Sequence, residues 1–454
     1  MPKHSVPRTQ AVFSWGLYDF ANTIFSMNIA TMYFAQWIIV DHKQQDIWYG
    51  LTYSISMLFV AISMPVLGAV SDSYGRRKPF ILFFTLGCVV VTFLMGLISQ
   101  LISSLSLVIV SSLVLFGIAN FFYEGGLVFY NALLPEVSTK ANIGKVSGFG
   151  VALGYLGAIA GLFLVKPFVE GNFFGWVLPK SLGGGREKSF IPTAIFFLIF
   201  SLPLFFCVKE NLMAKADKLN LDVKSAFARL WDGICNTRKY PGVLRFLIAD
   251  YFIEDAIATV IIFMAVYAQL VMKMGDEIKI WFFIVATTFA VIGSFLCGLV
   301  CDRIGPKKTL GIVVLGWVAS LLVAIFTTNQ VVFWIIGPFI GIFLGSTWTS
   351  ARPLLTSLAR EDTLGQFFGL YALSGRAAAI TGPVVWGGMV LLFRQDNPLV
   401  ELMVSFLNKL GISLSSSTLA TIQYRFAVGT LTLLMLVGLI ILIKVPDRFK
   451  TGRK

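Results

Sequence analysis

Ionisable side chains are scarce in this chain. Charged residues make up 13% of its 454 positions and hydrophobic ones 57%, while histidine occurs only twice, at His4 and His42. That composition excludes an ordinary soluble domain, which carries about twice the charge. Both histidines lie outside the long apolar runs, so any proton relay inside those runs falls to carboxylates. The five cysteines (Cys88, Cys207, Cys235, Cys297 and Cys301) have no metal-ligand spacing. Neither a disulfide, a metal site nor another cofactor is expected. No cleavable leader is expected, because the first apolar run is too long for one and eleven more follow it.

What the chain has is apolar length. Twelve runs can cross about 30 Å of hydrocarbon as helices: roughly 13–40, 48–70, 80–99, 105–130, 146–165 and 190–208, then 243–271, 280–300, 309–326, 331–349, 367–393 and 426–445. They are continuous and lack period-two alternation, which excludes a membrane barrel. The fold class expected is therefore all-α and integral to a membrane.

The formal net charge of +13 does not indicate nucleic acid. With the N-terminus in the cytoplasm, loops on that side hold 24 of the 36 Lys and Arg, the opposite loops hold 9, and Arg245, Arg376 and Arg425 lie in or at the ends of helices. This positive-inside bias predicts that both termini are cytoplasmic.

A loop signature occurs twice, 230 positions apart. The first copy runs Gly68-Ala-Val-Ser-Asp72-Ser-Tyr-Gly75-Arg76-Arg77-Lys78, and the second Gly298-Leu-Val-Cys-Asp302-Arg303-Ile-Gly305-Pro-Lys307-Lys308. Leu133, Leu134, Gly144 and Gly148 match Leu354, Leu355, Gly365 and Gly369 at a constant offset of 221. Such repeats predict two related six-helix halves around a central site. The boundaries expected are 1–208, a cytoplasmic linker over 209–242, and 243–454. In the linker, Val223, Phe227, Leu230, Trp231 and Ile234 recur at helical spacing, as in an amphipathic surface helix or a solvated connector. Between spans, 166–189 reads as a flexible glycine-containing loop and 394–423 as carrying a short interfacial helix. Gly68 and Gly298 predict close helix approach. Asp72 and Asp302 are expected to accept from N–H groups opening the next helix, with the basic residues in the cytoplasm. A single copy would be a plain positive-inside turn, but two matched copies favour a conformational latch.

Charges inside the spans are few: Asp19, Glu124, Asp250, Glu254, Asp255 and Arg376. At mid-bilayer each costs about 3 kcal/mol, so each should face the bundle interior or a wet cavity and have a partner. Arg376, among small neighbours, either holds a substrate carboxylate bidentately or pairs structurally with Glu124 or a span-seven acid. Asp250 and Glu254 stand one turn apart on one face, with Asp255 rotated by about 100°. These acids either couple transport to protons or serve as partners for Arg376. Asn22 flanks Asp19 with Trp15 and Tyr18, and Asn28, Tyr33, Tyr130, Asn131 and Tyr155 add hydrogen-bonding groups. For any one of these, and for Trp348, packing is the simpler role.

The repeated loops resemble the signature of the major facilitator superfamily, with Ser73 departing from its usual basic residue and Pro306 interrupting the second copy. Within it, Trp15-Gly-Leu-Tyr18-Asp19-Phe-Ala-Asn22, Tyr130-Asn131-Ala-Leu-Leu-Pro135-Glu136, Gly154-Tyr155-Leu-Gly157 and Phe367-Phe368-Gly369-Leu-Tyr371-Ala-Leu-Ser-Gly375-Arg376 resemble the vacuole-effluxer-like branch. That branch holds amino-acid exporters of fungal vacuoles and many bacterial proteins. The resemblance implies an alternating-access fold and efflux-type secondary transport, of amino acids in some members. Its span-seven pattern has an Asn-Asp-Gly core where Glu254-Asp255-Ala256 stands here, so Asp255 carries over and Glu254 is particular to this chain.

The expectation is thus a monomeric secondary transporter in a bacterial inner membrane. Its partners are the lipid bilayer, a small polar or anionic solute and a proton as coupling ion. A polytopic lipid enzyme should display an interfacial polar cluster, commonly with histidine, and none is visible. A non-transporting receptor built on the same fold remains the other alternative.

Overall fold

The computed structural model describes residues 9–74, 76–138, 143–173, 175–210, 237, 239–358, 364–409 and 416–447. Twelve long helices run through them. The first, α1, starts as Thr9–Phe25 and continues through wider π-helical turns at Ser26–Tyr33 and Trp37–Asp41. The others in the first six are α2 (Asp46–Tyr74), α3 (Lys78–Leu101), α4 (Leu105–Ala132), α5 (Ile143–Glu170) and α6 (Phe190–Cys207). The second six are α7 (Pro241–Leu270), α8 (Asp276–Ile304), α9 (Pro306–Phe326), α10 (Gln330–Leu358), α11 (Leu364–Leu392) and α12 (Ile422–Ile443). Among the described residues, eleven candidate spans are apolar enough along their length to cross a membrane. Helix α7 carries Asp250, Glu254 and Asp255.

Helix pairing repeats with a shift of six. In the first half α1 packs on α5 and α6, and α3 on α4 and α6; in the second, α7 packs on α11 and α12, and α9 on α10 and α12. The chain divides into two compact units, one of Met1–Ile38 with Ile55–Leu230 and one of Ile39–Ser54 with Trp231–Lys454. The first turns of α2 thus cluster with the second-half helices.

Close pairing in the first unit rests on glycines of α5. A Cβ on Gly157 would collide with the Phe20 backbone, and one on Gly161 would stand 2.8 Å from Asn28 Nδ2. Side chains this small let helix backbones approach where lipid offers no hydrophobic drive for packing. In the π-helical stretch of α1, Asn28 Nδ2 donates to Ile24 O at 2.9 Å, meeting a carbonyl that the wide turns displace from the regular ladder.

Three expectations need correction. The segment 166–189 is not a plain loop. Asn172–Phe173 pairs antiparallel with Trp176–Val177, and Gly184 and Gly185 donate N–H groups to Phe168 O and Val169 O at 3.0 and 2.9 Å. Span ten does not end at 349. It runs to Leu358, which brings Arg352 into the helix rather than a loop. Gly68 and Gly298 have no atom of a described residue within 4 Å of where a Cβ would sit, so neither carries a close helix approach here. The interfacial helix expected after span eleven is present as Pro398–Lys409, with Leu402 and Phe406 exposed. The amphipathic linker helix, with Val223, Phe227 and Leu230, lies outside the described residues, as does Gly75.

Candidate functional site

In the first unit the polar groups gather on one face of α1. Tyr130 of α4 lies between Trp15 and Tyr18, with ring centroids 4.7 and 5.1 Å away, and Trp15 Nε1 donates to Tyr130 O at 3.3 Å. The Tyr18 hydroxyl shares a 2.7 Å hydrogen bond with Thr85. These rings hold α1 in register and set Asp19 against Gly154, where a Cβ would stand 2.9 Å from its Oδ2. Asp19 is half-buried, and Asn22 one turn further is 1% exposed. Both amide atoms of Asn22 and the hydroxyl of Tyr130 are buried without a hydrogen-bond partner among the described residues. Orphaned buried polar atoms are uncommon and call for an explanation, such as a ligand or water. Glu124 on α4 and Tyr155 on α5 are both half-buried.

In the second unit, Glu254 accepts a 2.8 Å hydrogen bond from Trp348 Nε1, and Arg352, one turn beyond on α10, acts on it electrostatically. Asp250, 1% exposed, leaves Oδ2 without a hydrogen-bond partner among the described residues. The phenol of Tyr371 lies within electrostatic reach of Asp250, Glu254 and Arg352 together. Asp255 faces another way. Its Oδ1 accepts the Gly382 N–H at 2.6 Å, at the Gly382-Pro383 step where proline interrupts the ladder of α11. A Cβ on Gly382 would stand 2.8 Å from that Oδ1, so the contact requires glycine. Arg376, half-buried, sits on α11 between Tyr371 and Gly382.

Among the described residues, Asp19, Asp250, Glu254 and Asp255 form no ion pair; pairs elsewhere include Lys166 with Glu170, Lys279 with Asp276, and Arg394 with Asp396. Asp250 and Glu254 stand together as α-helical spacing requires, while Asp255 is drawn off to the α11 backbone. Sequence reasoning missed two contributors. Arg352 was counted as a loop charge, although no helix breaker separates it from Trp348 at i, i+4 spacing. Trp348 passed for packing, since nothing in the sequence reports which acid an indole N–H meets.

At the loop signatures the basic residues cap helix ends. Lys78 Nζ donates to Phe205 O and Val208 O at 2.8 and 2.6 Å, at the end of α6, and Arg77 donates to Ala132 O at the end of α4. Glu210 accepts the N–H groups of Arg77 and Lys78 that open α3. In the second copy Lys307 Nζ donates to Ile443 O at 3.0 Å, at the end of α12. Cations thus meet carbonyl ends and a carboxylate meets an amide end, as the helix dipole favours. Asp302 does not take the capping role expected of it: it is exposed and accepts no hydrogen bond among the described residues. The side chain of Asp72 lies outside the described residues. Gly305 has φ 91°, a conformation that favours glycine, while Arg76 and Arg303 are exposed.

Residues 47–392 match the family described as vacuole effluxer Atg22 like. A Bacillus subtilis (strain 168) protein described as an uncharacterized MFS-type transporter, YxiO, is 25% identical over 445 residues, covering 96% of this chain and 95% of its own. The multidrug resistance protein MdtG of Salmonella typhimurium is 25% identical over 365 residues, covering 79% of this chain and 82% of its own. The crystal structure of the nucleoside transporter NupG superposes with a TM-score of 0.70 at 14% identity over 97% of this chain and 100% of its own. A bacterial homologue of the human lysosomal transporter Spinster, inward-facing and unoccupied, gives 0.67 at 13% identity over 96% and 95%. The structural neighbours share the major facilitator fold and are transporters, not enzymes. With its two six-helix halves and the profile match over most of its length, the chain belongs to the vacuole effluxer Atg22-like family of major-facilitator-type transporters.

Proposed function

We propose that the protein is a proton-coupled secondary transporter exporting a small polar or anionic solute, amino-acid-like in size and charge. The observation that carries this reading is the set of carboxylates in membrane helices, Asp19, Asp250 and Glu254, that form no ion pair among the described residues. Such a carboxylate can take up and release a proton without breaking an ion pair. A charge kept in a span at this cost points to function rather than to packing.

Each half contributes a different chemistry. The first offers an acid with the unpartnered amide of Asn22 and hydroxyl of Tyr130, suited to a solute's polar groups. In the second, Glu254 with Asp250 is the coupling pair and Arg376 the anchor for a substrate carboxylate, where a guanidinium offers two parallel hydrogen bonds. The Lys78 and Lys307 loops act as latches, gripping the last helix of their own half. Both termini are cytoplasmic on the charge bias of the loops, and the protein works as a monomer. The family's description as effluxers supports the outward direction.

The test is a thermal-shift screen of the purified protein against amino acids, dipeptides, sugars and organic anions. One class should stabilise the protein, and Arg376→Ala should abolish that stabilisation. Stabilisation that survives Arg376→Ala sinks the anchor role, and the absence of any stabilising class counts against transport of these solutes.

A further inference from the structure

The first turn of α2 carries a carboxylate with an unusual set of partners. Asp46 is 2% exposed; its Oδ1 accepts from Trp386 Nε1 of α11 at 3.1 Å, and its Oδ2 from the Tyr424 hydroxyl of α12 at 3.3 Å. Around it, Ile47 lies against Gly387, Gly50 lies against the Pro383 carbonyl, and Tyr49 meets Phe263 edge-on at 5.5 Å. Phe263 in turn stacks on Trp386 at 4.8 Å and 11°. All these residues belong to the second compact unit, whereas α2 from Ile55 onward belongs to the first. One uninterrupted helix therefore has its first turns fastened in one unit and the rest of its length in the other.

The matching helix of the second half provides a contrast. The first turn of α8 also has an aspartate, Asp276, but Lys279 of the same helix neutralises it at 2.8 Å. Asp46 forms no ion pair among the described residues; besides its own backbone N–H, the donors it meets are the neutral Trp386 and Tyr424 on neighbouring helices. Two hydrogen bonds to one carboxylate, without a buried countercharge, hold a helix end and still permit its release, because parting strands no unpaired cation.

We propose that Asp46 is the positioning residue of a latch that holds the N-terminal turns of α2 on α11 and α12 and releases them during the transport cycle. The inference rests on the transport reading above. Trp386 and Tyr424 are its two catches, and the Phe263 ring beneath Trp386 fixes the indole so that its N–H points at Asp46.

Ser54, two turns further along α2, reports on release. It is 3% exposed and its hydroxyl has no hydrogen-bond partner among the described residues, so Ser54→Cys removes no hydrogen bond seen there. The full chain in lipid nanodiscs, with Cys207, Cys235, Cys297 and Cys301 replaced by serine, keeps buried Cys88 of α3 as an internal control. Labelling by a membrane-impermeant maleimide is followed at both sites by peptide mass spectrometry. Trp386→Phe combined with Tyr424→Phe keeps both rings and removes only the two donors. The result expected is a rise of about tenfold or more in the labelling rate of Ser54→Cys, the scale of one lost hydrogen bond to a charged group, with Cys88 unchanged. An unchanged rate at Ser54→Cys overturns the proposal, and so does a parallel rise at Cys88, which means general loosening. The readout needs no solute, so a failed solute screen with a successful labelling result would discard the proposed solute class and leave the latch standing.

Discussion

Trp348 reaches from α10 to Glu254 of α7 and donates its indole N–H at 2.8 Å. This hydrogen bond separates the three acids of α7 by role. Glu254 is held by a neutral donor with Arg352 in electrostatic reach, Asp250 keeps an oxygen without a hydrogen-bond partner among the described residues, and Asp255 is taken by a backbone amide.

Glu254→Gln preserves an acceptor for Trp348 and removes the charge. The variant should fold and melt near wild type, while solute flux in proteoliposomes loses its response to an imposed pH gradient. Wild-type flux indifferent to that gradient would remove proton coupling altogether.

Asp255 should behave as a structural group. Asp255→Asn keeps the acceptor for the Gly382 N–H and should retain flux, whereas Asp255→Ala leaves that amide unpaired at a cost of about 1–3 kcal/mol. The comparison of melting temperature and flux for the two variants checks this, and equal loss of flux with unchanged melting would return Asp255 to the coupling set.

Glycine substitutions should split sharply. Gly157→Ala and Gly382→Ala place a methyl against backbone or a fixed side chain and should lower the melting temperature, by the equivalent of about 1–3 kcal/mol each for overpacking. Gly68→Ala and Gly298→Ala meet open space and should be neutral or stabilising by up to about 1 kcal/mol from helix propensity. If Gly68→Ala leaves stability intact but slows flux, the open face serves a different state of the cycle.

Lys78→Ala and Lys307→Ala each uncap a helix end in their own half. A loss of about 1 kcal/mol apiece is expected, additive in the double variant because the sites share no partner. Thermal unfolding of the two single variants and the double measures it; no loss in either would leave the loops as plain positive-inside turns.

The two-half architecture was legible because its cause is local and repeated. Apolar length marks each span, and a loop copied at 230 positions marks the halves, so α1 to α12 could be counted without coordinates. The acids were legible for a related reason, since any charge in a long apolar run stands out. Their partners were not. Helical spacing put Asp250 and Glu254 on one face, but nothing local indicated that Asp255 would turn to Gly382, a contact 127 residues away in sequence. The capping role expected of Asp302 failed because a short-range rule was applied where exposure leaves the side chain in solvent.

The end of span ten shows the same limit on a smaller scale. The apolar run ended at 349, yet the helix continues to Leu358 with Pro353 accommodated within α10, where neighbouring helices and side chains can meet the freed carbonyl.

Hydrophobic length, charge bias and internal repetition by themselves determined that this chain is a twelve-helix membrane protein of two related halves, because water and hydrocarbon sort residues one segment at a time. Tertiary structure alone decided which donor each buried acid receives and that Asp46 at the start of α2 belongs with Trp386 and Tyr424. Hydrogen bonds between helices depend on rotation and packing distance, and those are set by contacts between residues hundreds of positions apart.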